Sequence, residues 1–191
     1  MKLKPVLTGV FAGLMLACGG ASAQQGPEAP GTPETKTIGD WMVRCFPVNN
    51  SNPCDVFLEL ADQRSRQRVL SVSLAYAPAA DRHLMQITVP LDISIQKGVT
   101  IEADGYKSPV LKYRMCSREG CFVQTAPDNA MIEALVKSSS GAKVNIVADN
   151  GKAFGINVSL KGFAAAHDEM VSEARAKAKS PKAGDAAAPK P

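Results

Sequence analysis

The chain has 191 residues and sets 22 Lys and Arg against 18 Asp and Glu, a formal charge of +4. That balance is too weak, and its charges too dispersed along the sequence, for a nucleic-acid partner. A hydrophobic fraction of 45% suits an ordinary folded domain, and the length suits one such domain once loose ends are set aside.

The first 25 residues, MKLKPVLTGVFAGLMLACGGASAQQ, read as an export signal. Lys2 and Lys4 give a basic start, residues 6–17 an apolar run, and Ala21-Ser22-Ala23 a small-residue cleavage site. The run is shorter than the roughly 18 residues a spanning helix needs. Residues 1–23 are therefore expected to be removed near Ala23, leaving a periplasmic chain with no transmembrane segment; association with the outer envelope stays open. Loss of Lys2 and Lys4 lowers the formal charge from +4 to +2. Lipidation at Cys18 is the alternative, since Leu16-Ala17-Cys18 resembles a bacterial lipobox, although Met15 and Leu16 fit it poorly. Residues 24–37, rich in Pro, Gly and Thr, read as a flexible leader.

From residue 38 the dominant pattern has period two, the mark of half-buried strands. Trp41, Val43 and Cys45 share one face, as do Val56, Leu58 and Leu60, then Leu70, Val72, Leu74 and Tyr76. Met85, Ile87 and Val89 follow, then Val99, Ile101 and Ala103, then Leu111, Tyr113 and Met115, with Phe122 beyond a turn. Val144, Ile146 and Ala148 lead through Asp149-Asn150-Gly151, a hairpin signal, to Phe154, Ile156, Val158 and Leu160. Two segments break the period. Residues 127–138 place Met131 with Leu135 and Ile132 with Val136 at helical spacing behind an Asp128 N-cap. Residues 162–179 align Phe163, Met170 and Ala174, with Glu173 and Lys177 spaced to pair. The expectation is a mainly β chain, an antiparallel β-sandwich with one or two short helices. Its domain spans 38–166, and 167–191 form a helical extension and disordered tail.

Cys18 aside, four cysteines remain: Cys45, Cys54, Cys116 and Cys121. In an exported chain an even count reads as disulfides. Three pairings are open, and proximity favours Cys45–Cys54 and Cys116–Cys121. Each small loop so closed contributes about 2–3 kcal/mol. Zinc sites usually show tighter spacing, and a thioredoxin-like motif needs Cys-x-x-Cys. In DQRSRQR, Arg64, Arg66 and Arg68 alternate. On an extended chain they form one candidate anion-binding face for lipid A phosphates or acidic polymers, with a solvated hairpin tip as the plainer reading. His83 and His167 read as isolated residues without catalytic work. No sequence motif for a nucleophile, a metal or a phosphate loop is present.

The order of landmarks resembles the invasion-associated locus B family of exported alphaproteobacterial proteins. The matching stretches are GDWMVRC at 39–45, then Cys54, VPLDISIQKGVTIEADG at 89–105, YRMCSREGC at 113–121, a short helix, and VSLKGF at 158–163. Asp92 stands where the family pattern leads one to expect glycine. The resemblance implies a single immunoglobulin-like sandwich in the periplasm or outer envelope. It also implies disulfides in place of catalytic machinery, and it carries over only the cysteines and a core Trp41. The expected function is non-enzymatic: an interaction module with no cofactor and no metal, serving the envelope or host-cell invasion. Its partner would be an envelope or host-surface protein, glycan or lipid. The alternative is an envelope thiol–disulfide factor using Cys116 and Cys121.

Overall fold

The computed structural model describes residues 31–47 and 51–179. The expected signal, Cys18, residues 24–30 and residues 180–191 lie outside the described residues. Within them the strands are β1 (Glu34–Ile38), β2 (Trp41–Cys45), β3 (Cys54–Ala61), β4 (Arg68–Ala77), β5 (Arg82–Val89), β6 (Thr100–Ala103) and β7 (Tyr106–Lys107). They continue with β8 (Tyr113–Ser117), β9 (Gly120–Thr125), β10 (Ala142–Val147) and β11 (Ala153–Val158). The helices are α1 (Asn129–Lys137) and α2 (Phe163–Lys179).

The strands form two antiparallel sheets, one ordered β1-β2-β3-β4-β5-β9-β8 and a smaller one ordered β11-β10-β6-β7. Period two does what the sequence leads one to expect. Trp41, Val43, Val56, Leu70, Val72, Leu74, Ile87 and Val89 all turn inward from the large sheet and are buried. They meet Ile101, Val144 and Val158 of the small sheet, Leu135 of α1 and Phe163 of α2, with a void of only about 20 Å³ between them. Such close packing makes each of these side chains sensitive to truncation. Asp128 caps α1 by accepting from the Met131 amide at 2.7 Å.

Several expectations need correction. The leader was expected to run to residue 37, yet Glu34–Ile38 is a strand in register with β2, Ile38 facing Trp41 and Glu34 facing Cys45. The Gly39-Asp40 turn folds it back, and ion pairs Lys36–Glu169 and Lys177–Glu34 tie it to α2. Lys177 therefore pairs with β1, where helical spacing had suggested Glu173. The domain does not stop at 166 either. α2 begins at Phe163 and buries Phe163, Ala166, Met170 and Ala174, so it is a wall of the core instead of an extension. Met115, expected inside with Tyr113, is 55% exposed because a bulge intervenes. Phe154, also expected inward, is exposed on β11.

The first and last family landmarks touch. Asp40 donates its amide to the Lys161 carbonyl at 3.0 Å, and the Trp41 indole donates to the Ser159 carbonyl at 2.9 Å. Ser159 in turn donates its hydroxyl to the Asp40 carboxylate, and Trp41 meets Phe163 edge-on at 4.8 Å.

Candidate functional site

The outward face of the large sheet is hollow. A groove of about 750 Å³ lies over it, floored by β2, β3, β4, β5 and β9, with Arg114 of β8 at its end. An antiparallel sheet with one face packed on a core normally presents a solvated polar face on the other. Here three polar side chains of that second face, Asp55, Ser71 and Thr88, are buried nonetheless, at 6%, 7% and 3% exposure.

Cross-strand register explains the lining. Met42 faces Phe57, Phe57 faces Ser73, Ser73 faces Gln86, and Gln86 faces Gln124, so one row crosses five strands without a break. A second row sets Ser71 beside Thr88, Thr88 beside Phe122 and Phe122 beside Met115. Neighbours at such spacing interact directly. Gln124 donates to Gln86 at 2.8 Å, and Arg114 donates to Gln124 at 2.8 Å. At the other end Arg44 grips Asp55 with two bonds, at 2.9 and 2.5 Å, and lies 3.7 Å above the Phe57 ring. Ser73 completes the Asp55 carboxylate at 2.6 Å. A bidentate pair with a third donor keeps the buried charge compensated and the side chains still.

Two bulges recruit the remaining arginines, as bulges do when they re-aim a side chain. One lies between Leu60 and Ala61, where Leu60 pairs with Leu70 but Ala61 already pairs with Arg68. Arg68 is thereby turned to the groove, near Glu59 at 3.6 Å and donating to the Glu119 carbonyl at 2.5 Å. The other lies between Tyr113 and Met115 and frees Arg114 to reach across to Gln124.

The expected arginine triad is not one face. Residues 62–66 are a turn, not an extended run: Asp62 accepts from the Arg64 and Ser65 amides, and Arg66 has a left-handed φ of 60°. Arg64 and Arg66 stay at the exposed tip, and only Arg68 joins the groove. The cysteines pair as neighbours, Cys45–Cys54 and Cys116–Cys121, with Cα separations of 4.1 and 4.0 Å across adjacent strands. The first bridge is buried on both sides, whereas Cys116 is exposed on edge strand β8.

The two histidines, distant in sequence, meet. His83 on β5 and His167 on α2 bring their Nε2 atoms to 3.0 Å. Burial, then the neighbouring His167, hold the His83 pKa below its ordinary 6.5, against a smaller raising effect from Asp81. Sequence spacing carries no signal for this pair, because only the docking of α2 creates it.

Comparison with known proteins follows the same lines. A family model described as invasion associated locus B (IalB) protein matches residues 41–171. Two Brucella abortus proteins named invasion protein B homolog, from strain 2308 and from biovar 1 strain 9-941, are each 26% identical over 138 residues. Each alignment covers 71% of this chain and 78% of the relative. The crystal structure of invasion associated protein b from Bartonella henselae superposes with a TM-score of 0.64 at 21% identity. That match covers 74% of this chain and 99% of the other, and it bears on the fold.

Proposed function

We propose, from the premise that the chain belongs to the invasion associated locus B family, that it is a non-enzymatic binding module of the bacterial cell envelope. In this reading the export signal at residues 1–23 delivers it to the periplasm, where its four cysteines oxidise. The observation that carries the reading is the groove: a row of side chains in register across five strands, with every arginine already held by a named acceptor. Preorganised polar groups in a hollow of this size suit recognition, since little ordering entropy is left to lose on binding. The proposed partner is an envelope or host-surface molecule; involvement in host invasion is suggested by the family's name and by the names of the relatives.

The test is a backbone NMR titration of the exported, oxidised protein against separate panels of glycans, anionic lipid vesicles and peptides. Saturable shifts at Ser73, Gln86 and Gln124 support the module. Shifts confined to the small sheet refute this assignment of the face. One observation favours a second reading, a thiol–disulfide factor: Cys116 is exposed while its partner is buried. Turnover of a disulfide substrate that vanishes in Cys116→Ser would establish that reading and displace the first.

A further inference from the structure

We propose that the groove takes an oligosaccharide bearing carboxylates, with Arg114 reading the acid group and the Ser73-Gln86-Gln124 row reading ring hydroxyls. This deepens the binding-module reading and rests on it. The charge of the lining is the first reason. Arg44, Arg68 and Arg114 stand against Asp55 and Glu119 in the lining, with Glu59 beside Arg68 at 3.6 Å, so the charges balance in number and what matters is which arginine lacks a carboxylate of its own. Arg44 is matched by the Asp55 carboxylate, and Arg68 by the Glu119 carbonyl and, more distantly, Glu59. The acceptor of Arg114 is a neutral amide, Gln124, so a ligand carboxylate would gain a charge-assisted bond there that the protein does not already make.

The second reason is the chemistry beside it. Amides and hydroxyls in a row offer both donors and acceptors, which is what a chain of secondary alcohols requires. Ser73, Gln86 and Gln124 sit on three adjacent strands at about 4.8 Å spacing, a polar row roughly 10 Å long, room for about two linked rings. Phe57 is already covered by the Arg44 guanidinium, which leaves Phe122, in register between Thr88 and Met115, as the apolar platform for a ring face. A lipid tail would need an apolar trough, and these strands present mostly polar side chains. A peptide added as a strand would use an edge, not this face. Isolated phosphate would need converging arginines, and here each is drawn to a separate acceptor.

The experiment uses the exported, oxidised protein with polygalacturonate oligosaccharides and their carboxyl-reduced neutral counterparts, followed by calorimetry and NMR. The acid form is expected to bind at the groove, about tenfold more tightly than the reduced form, and to weaken as salt rises. Arg114→Gln should remove that preference while leaving the thermal midpoint unchanged, because Arg114 is exposed. Gln86→Ala with Gln124→Ala should weaken both forms. Lys143→Gln, on the small sheet, should weaken neither. Equal binding of acid and reduced forms, no effect of Arg114→Gln, or a neutral glycan, vesicle or peptide occupying the same residues in place of the acid would each overturn the carboxylate assignment while leaving the binding face in place. If no member of any panel perturbs Ser73, Gln86 or Gln124, both proposals fall.

Discussion

Asp92, where the resemblance leads one to expect glycine, has a backbone that gives that expectation a physical reason. The residue sits at φ 65°, in the left-handed region that costs an L side chain roughly 1–2 kcal/mol and glycine nothing, with aspartate among the residues that visit it most readily. Its backbone is pinned there: its carbonyl accepts from the Asp149 amide at 3.1 Å, and nearby Ser94 donates to the Val147 carbonyl at 2.8 Å. Asp92→Gly should therefore raise stability in urea by a few tenths to about 1 kcal/mol, whereas Asp92→Val should lower it by at least as much. A destabilised glycine variant would mean that the carboxylate has a role of its own. The bridges differ at the same scale. Thiolate attack needs access to sulfur, and Cys116 is exposed while Cys45 and Cys54 are buried at 4% and 0%. Under limiting dithiothreitol at neutral pH, Cys116–Cys121 should open first and Cys116 should take most of an alkylating label. Peptide mapping that finds Cys45–Cys54 labelled first would contradict this ordering.

Among the elements, what could be read from sequence was the inward face, because apolar residues at period two report burial directly. Trp41, Leu74 and Ile87 are buried where the pattern puts them. The groove was not legible, for two reasons. Its rows depend on which strand pairs with which, and the β5–β9 pairing joins residues 38 apart, as in Gln86 and Gln124. Two of its arginines, Arg68 and Arg114, depend on bulges that re-aim them, and the expected trio is lost because residues 62–66 turn instead of extending. The clasp between β2 and the start of α2 is a further element-scale feature with a sharp consequence. A Cβ on Gly162 would lie 2.5 Å from the Ile38 carbonyl oxygen and 2.8 Å from the Gly39 Cα, at φ +82°. Gly151 has nearly the same φ, +83°, with nothing within 4 Å of the same atom. Gly151→Ala should thus cost only the conformational strain, about 1 kcal/mol, and Gly162→Ala more than about 2 kcal/mol. Equal thermal midpoints for the two variants would show that the close approach is not what Gly162 serves.

For the whole molecule, the position of α2 matters most, since it closes the core over Trp41 and also places His167 on His83. Charged groups surround that junction: Asp81 in the β4–β5 turn accepts from the Tyr76 hydroxyl, Arg175 of α2 donates to the same hydroxyl at 2.9 Å, and Asp168 lies 3.2 Å from His167 Nδ1. The sign of the resulting pH dependence follows from His83. Its pKa in the fold lies below the 6.5 of the free side chain, so the unfolded chain takes up the proton first. The stabilisation from keeping His83 neutral is complete above pH 6.5 and is lost as pH falls through the lowered folded value. The Asp81 carboxyl, lowered below its ordinary 3.8 chiefly by the Tyr76 hydroxyl, responds only in stronger acid, so the interval from pH 7.5 to 5 isolates His83 from it. The thermal midpoint should accordingly fall across that interval, with α2 amides exchanging faster at pH 5 than those of β4. Charging His83, whose Nε2 lies 3.0 Å from the His167 Nε2, would loosen the helix from its sheet before the sheet itself opens. His83→Phe keeps an aromatic ring beside Tyr76 and removes the titration, and should flatten the slope. If that variant loses stability with acid as steeply as the parent, the histidine contact is not what couples the helix to pH.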